Sequence, residues 1–203
     1  MFKQIEWLFF DVGSTLVDES RANEHRILDA IKGTIITYDQ AYAQAVQLAK
    51  QKNAHPIKAL GLPLTPWHSE DEAIYPHAVN CLAELHKNYK LGIIANQVKG
   101  TAGRMKEYGL YPYLDLIIAS AEEGIEKPDL RIFQTALERA NCRPENAAMI
   151  GDRIDNDIVP AKKKGMVTIW IRQGFGGMAE NLTEAETPDY CVRNLQELYE
   201  LLK

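Results

Sequence analysis

Residues 5–15 read IEWLFFDVGST. Positions 5–10 form an apolar run the length of one buried strand, and it stops abruptly at Asp11 and Gly13. Comparable runs recur at 91–95, 116–119, 147–150 and 167–171, each bounded by Gly, Asp or Asn. Helical spacing fills the intervals: Ala78, Leu82, Leu85 and Tyr89 share one face, as do Phe133, Leu137 and Ala140. Gly109 and Gly165 stand where a helix C-cap needs a left-handed residue. Strands alternating with helices of this length predict an α/β fold with a doubly wound parallel sheet, which binds ligands beyond the carboxyl ends of its strands.

One stretch breaks the alternation. From 19 to 72 no convincing strand appears, while 21–36 and 40–52 read as helices, the second carrying Tyr42, Ala45, Val46 and Ala49 on one face. A Pro-rich connector, HPIKALGLPLTPW at 55–67, follows. The expected organisation is a core of 1–18 and 73–203 with a small α-helical cap insertion at 19–72. A segment inserted directly after the first strand is placed to act as a lid over the crevice, excluding water and supplying specificity, with a surface decoration as the alternative.

Composition narrows the function by exclusion. The 203 residues are 46% hydrophobic and 25% charged, in the range of ordinary globular proteins, and carry a formal net charge of −5. That sign argues against nucleic acid as a partner, since phosphate-backbone binding draws on clustered cations. The basic run Lys162, Lys163 and Lys164 falls at a helix end, where cations suit the dipole. No apolar stretch approaches a membrane span. Cys81, Cys142 and Cys191 are odd in number and lack a CxxC pair, as expected of reduced thiols in a cytoplasmic protein. The five histidines show no metal-ligand spacing, so zinc is not expected.

Four charged residues fall just after the predicted strands or in the loops beyond them: Asp11, Lys127, Asp152 and Asp157. Asp11 and Asp152 follow WLFF and AAMIG directly, so both carboxylates should emerge at one sheet edge. Carboxylates that converge repel unless a cation bridges them. A hard divalent ion such as Mg²⁺ takes one or two carboxylates and leaves positions for water and phosphate oxygens. Lys127, in GIEKPD, adds positive charge. Each residue alone reads more readily as an ordinary helix cap or loop acid than as a functional group; the conjunction points to a site.

With these residues in view, the sequence resembles the haloacid dehalogenase (HAD) superfamily, phosphatase type with a small helical cap, from Asp11 to about Gly174. DVGST stands for the first family motif, Ala95–Asn96 in IIAN for the second, Lys127 for the third, and GDRIDND at 151–157 for the acidic fourth. The resemblance implies a Rossmann-like core. It also implies Asp11 as nucleophile, forming an aspartyl-phosphate, with Lys127 neutralising it and the phosphoryl group. Mg²⁺ would be held by Asp11, the Gly13 carbonyl and Asp152, with Asp157 in support. Backbone amides around Val12 and Asn96 would cradle a small phosphorylated substrate.

Two positions depart from the family pattern. Gly13 replaces the second Asp, the general acid and base, and Ala95 replaces a hydroxyl residue. A general acid or base is worth about 10²–10⁴-fold in rate, so a slow or specialised enzyme is expected. Ser14, Asp18, Glu19, Asn96 and Gln97 are the neighbours able to substitute. Three activities fit: a Mg²⁺-dependent phosphatase, an impaired Mg²⁺- and phosphate-binding regulator, or a carbon-centred hydrolase of the dehalogenase or phosphonatase kind. Arg21, His25, Tyr42 and Trp67 are candidate specificity residues, and GFGGM at 174–178 a candidate loop near the crevice or a plain surface turn. The substrate and the oligomeric state stay open at this level.

Overall fold

β1 (Trp7–Phe10) lies inside a six-stranded sheet, flanked by β4 (Lys90–Ala95) and β6 (Ala147–Gly151) in a computed structural model that describes residues 2–53, 55–63 and 65–203. β5 (Leu116–Ala119) lies outside β4, and β7 (Val167–Ile171) and β8 (Tyr190–Val192) lie outside β6, giving the order β5-β4-β1-β6-β7-β8. Every pairing in this sheet is parallel. The chain winds outward from β1 through β4 to β5, then returns to β1's other side for β6, so the crevice at the direction change opens above β1. The α/β doubly wound parallel sheet read from the sequence is therefore the fold.

The two-residue period of the strands sorts the core into two layers. Leu8 and Phe10, Leu91, Ile93 and Ala95, and Ala148 and Ile150 face one side. There they pack against α3 (Ala78–Leu85), α4 (Thr101–Glu107) and α8 (Leu195–Leu202). Phe9, Ile94 and Met149 face the other side and meet Ile132, Phe133, Ala136 and Leu137 of α6 (Leu130–Ala140) and Ala161 of α7 (Val159–Lys163). A short helix, α5 (Ser120–Glu123), follows β5 directly. β8 was not anticipated from the sequence: three residues of which only Val192 is buried carry too little apolar signal to stand out.

A two-residue antiparallel ladder, β2 (Val17–Asp18) with β3 (Ala73–Ile74), brings together the ends of the intervening segment. Within it lie α1 (Ser20–Ala30) and α2 (Tyr38–Lys50). α1 is shorter than the expected 21–36. Gly33 turns left-handed at φ 77°, the Thr34 hydroxyl donates to the Ile31 carbonyl at 2.8 Å, and Thr37 then starts α2 with a reciprocal capping box to Gln40. The buried stripe of α2 is Ala41, Ala45 and Ala49, one step round from the predicted face; Tyr42 is exposed and Val46 half-buried. Small side chains let the helices approach closely, and Ile27, Ala41 and Ile57 form a separate small core that Phe175 joins. Leu64, in the Pro-rich connector, lies outside the described residues. Among the described residues no helix is long and apolar enough to cross a membrane.

Candidate active site

The parallel register Phe10↔Ile150 makes β1 and β6 end side by side, so Asp11 and Asp152 leave the sheet together; the Asp11 amide donates to the Ile150 carbonyl at 2.9 Å. Lys127 enters from the loop between α5 and α6. Its Nζ donates to Asp11 Oδ1 and Asp157 Oδ1, each at 2.6 Å. Asn96, just past β4, grips the Lys127 backbone from both ends of its amide: Oδ1 accepts from the Lys127 N–H at 2.7 Å and Nδ2 donates to the carbonyl at 2.9 Å. Asp157 sits on a single π-helical turn, Ile154–Ile158, and its second oxygen accepts from the Arg153 amide at 3.0 Å. Trp170 Nε1 donates to the Asp152 carbonyl at 2.6 Å and fixes that backbone.

Burial sets the electrostatics. The side chains of Lys127 and Asp157 are 2% and 1% exposed. Burial alone would pull the Lys127 ammonium down, but Asp11 and Asp157 outweigh it and hold the group above its ordinary range, charged. Asp152 is pushed well above the usual carboxylate range by burial, with Asp157, Asp11 and Glu19 adding repulsion. Asp157 is also raised by burial, with Lys127 opposing. One carboxylate oxygen from each of Asp11, Asp152 and Asp157 lies within 4.8 Å of the others, so three acids share a single lysine. An all-oxygen set with surplus negative charge fits a hard divalent cation.

Beside this cluster the backbone turns through Gly13. A Cβ built there would overlap Glu19 Oε1 and come within 2.9 Å of its carboxyl carbon. The Glu19 carboxyl thus reaches back over Gly13, and its Oε2 accepts a 3.0 Å hydrogen bond from Ser14 Oγ. Burial lifts it to about 7; Ser14 opposes the shift, and Asp11 and Glu72 add to it. The GFGGM loop packs directly on the site and is no plain surface turn: a Cβ at Gly174 would overlap Ser14 Oγ, and one at Gly176 would overlap Asp152 Oδ2. Gln173, next to it, donates to the Ser14 and Thr15 carbonyls at 3.2 and 3.0 Å. Among the described residues the Val12 and Gly13 amides meet no acceptor in the chain.

A well of about 150 Å³ is lined by Asp11, Gly13, Glu19, Lys127, Asp152 and Asp157. It adjoins a cavity of about 720 Å³ between the core and segment 19–72, walled partly by Arg26, Lys52, Trp67, Arg104, Arg153 and Phe175. Several neighbours weighed as substitutes for the missing acid are otherwise engaged. The Asp18 carboxylate accepts from the Ser20 amide at 2.9 Å, Gln97 Oε1 accepts from Arg104, and Asn96's side chain is spent on Lys127. Of the candidate specificity residues, Trp67 lines the large cavity, while Arg21 and Tyr42 are exposed. His25 stacks on His68 with ring centroids 3.5 Å apart, His25 Nδ1 lies 2.8 Å from Asp71, and His68 Nε2 lies 2.9 Å from Asp29. Arg26, not singled out from sequence, turns its guanidinium over the Trp67 ring, and its Nε has no partner among the described residues.

Sheet order, inserted segment and carboxylate–lysine well together define a doubly wound α/β protein with a cluster of ionisable groups at the end of its first strand. The family model for haloacid dehalogenase-like hydrolases matches residues 5–165, and the chain belongs to that family. It is similar to glyceraldehyde 3-phosphate phosphatases along nearly its whole length. It is 31% identical to the one from Pyrococcus furiosus, covering 99% of this chain and 94% of the relative. It is 28% identical to the one from Methanocaldococcus jannaschii, covering 98% and 97%. Among solved structures, the HAD-hydrolase YfnB from Bacillus subtilis, bound to magnesium, superposes with a TM-score of 0.71 at 22% identity, over 99% of this chain and 100% of that one. The chain is accordingly an enzyme of the phosphatase type.

Proposed function

We propose that the chain is a Mg²⁺-dependent phosphatase of small phosphorylated metabolites that works through an aspartyl-phosphate on Asp11. The observation that carries this reading is the Lys127 ammonium held 2.6 Å from both Asp11 and Asp157 at the floor of a well large enough for a phosphoryl group. Lys127 holds the Asp11 carboxyl in place by its hydrogen bond, and offsets the charge of an incoming phosphate. The free amides of Val12 and Gly13 are donors for the phosphoryl oxygens, as positioned charge is the main source of rate in phosphoryl transfer. Asn96 serves that end indirectly, by setting the Lys127 backbone. Asp11, the Gly13 carbonyl and Asp152 would hold Mg²⁺, supported by Asp157, and the bound ion supplies further neutralisation of the phosphoryl group.

Segment 19–72 acts, in this reading, as the cap that closes the large cavity. The cavity wall pairs most of its cations with acids, Lys52 with Glu186, Arg104 with Glu72 and Arg153 with Asp155, and leaves Arg26, whose Nε has no partner among the described residues, to meet a small polar anion. The relatives named glyceraldehyde 3-phosphate phosphatases place triose phosphates first among substrates to try. The test is phosphate release from triose phosphates, other sugar phosphates, acyl phosphates and p-nitrophenyl phosphate, with Mg²⁺ and with chelator. Turnover that disappears in chelator and in Asp11→Asn is expected. No release from any compound, or Asp11→Asn equal to wild type, overturns the reading.

A further inference from the structure

Cleaving an alkyl phosphate leaves an alkoxide, a poor leaving group unless a proton reaches it, and the water that follows must lose one. The well offers few groups for that exchange. Asp11, Asp152 and Asp157 crowd around one lysine, whose Nζ already donates to two of them. Asn96 is bonded at both ends, and Ser14 points its hydroxyl at Glu19. The remaining carboxyl is Glu19, which lines both the well and the large cavity.

We propose that Glu19 is the proton donor and acceptor of the reaction, delivered over Gly13 from six residues further along the chain. The proposal rests on the phosphatase reading above. Glu19 Oε1 occupies the space where a side chain at position 13 would begin, and Oε2 is anchored by Ser14 Oγ at 3.0 Å. Oε1 has no hydrogen-bond partner among the described residues and lies over Gly13, which lines the well with Glu19. Gly13 and Glu19 are therefore one device: any side chain at 13 would evict the carboxyl. In the first half-reaction an Asp11 oxygen bonds to phosphorus, the bond from phosphorus to the ester oxygen breaks, and the Glu19 carboxyl proton passes to the departing alkoxide, giving alcohol and aspartyl-phosphate. In the second, the Glu19 carboxylate takes a proton from water and the oxygen attacks phosphorus. The bond to Asp11 then breaks, releasing phosphate and restoring both acids.

The experiment compares wild type and Glu19→Gln, with Mg²⁺, on glycerol 3-phosphate, whose leaving group needs a proton, and p-nitrophenyl phosphate, whose leaving group does not. Glu19→Gln should lose about 10²–10⁴-fold in kcat on glycerol 3-phosphate. On p-nitrophenyl phosphate it should release a stoichiometric burst of nitrophenolate followed by slow turnover, as aspartyl-phosphate accumulates. A double variant, Gly13→Asp with Glu19→Ala, should recover glycerol 3-phosphate turnover relative to Glu19→Ala alone, and also serves if Glu19→Gln folds poorly. Retained glycerol 3-phosphate activity in Glu19→Gln, equal losses on both substrates without a burst, or no recovery in the double variant overturns the role of Glu19. A wild type inactive on both overturns the phosphatase reading and this proposal with it.

Discussion

At the scale of single residues, Lys127 couples stability to chemistry. Its ammonium is buried against Asp11 and Asp157, so removing it strands two carboxylates, Asp157 fully buried and Asp11 largely so. Breaking such a pair by removing one partner typically costs about 3–5 kcal/mol. Lys127→Met is expected to lose phosphatase activity and to lower unfolding free energy by about that much in urea titrations, with Mg²⁺ restoring part of it. Asp11, Lys127, Asp152 and Asp157 were legible as a group because each follows a strand end or lies in the loops above it, and a parallel sheet sends all its carboxyl ends to one edge. Glu19 could be named but not placed. Its position depends on a close approach across Gly13 that no local spacing encodes. The same holds for Gly174 and Gly176, whose missing side chains matter only because Ser14 and Asp152 arrive there from elsewhere in the chain.

At the scale of elements, α2 is held by alanines. Ala45 is fully buried, so Ala45→Leu should overpack the buried face of α2, and adding methylenes to a filled core costs about 1–3 kcal/mol. Loss of protection in α2 by hydrogen exchange, with the sheet unchanged, is the expected signature. The end of α2 is tied to the core by Lys52, which bonds Glu186 at 2.9 Å and the Asn181 carbonyl at 3.3 Å. The Lys52 hydrogen bond, with those from Thr183, holds the Glu186 carboxyl down at about 2, against 4.5 ordinarily. A carboxyl depressed in the folded state contributes stability above its unfolded value and loses it as pH falls through the folded one. Glu186→Gln should therefore lower Tm near neutral pH, with the difference from wild type fading between pH 4.5 and about 2. Five strands of the sheet were legible as apolar runs between breakers. β8, the end of α1 and the buried stripe of α2 were not, because each is decided by tertiary packing or by a turn residue acting against periodicity.

For the molecule as a whole, three acids around one lysine leave surplus negative charge in the crevice above β1. A ligand that binds only the folded state stabilises it by mass action. Tm in differential scanning fluorimetry should rise with Mg²⁺ and fall back in chelator. Asp152→Asn should be more stable than wild type without the ion and show little shift with it. The segment that carries α1 and α2 joins the core through a two-residue ladder, and Glu19 is the first residue beyond it, at the start of α1. In the proposed reaction its carboxyl is the group that the inserted segment, rather than the core, brings to the well. A swing of the helices about that stem would carry the Glu19 carboxyl away from Asp11 while Asp11 and Lys127 stayed in place. Under the proposed reaction an open molecule would be out of gear, with a phosphorylated Asp11 but no base to release it, and hydrolysis would be interlocked with closure.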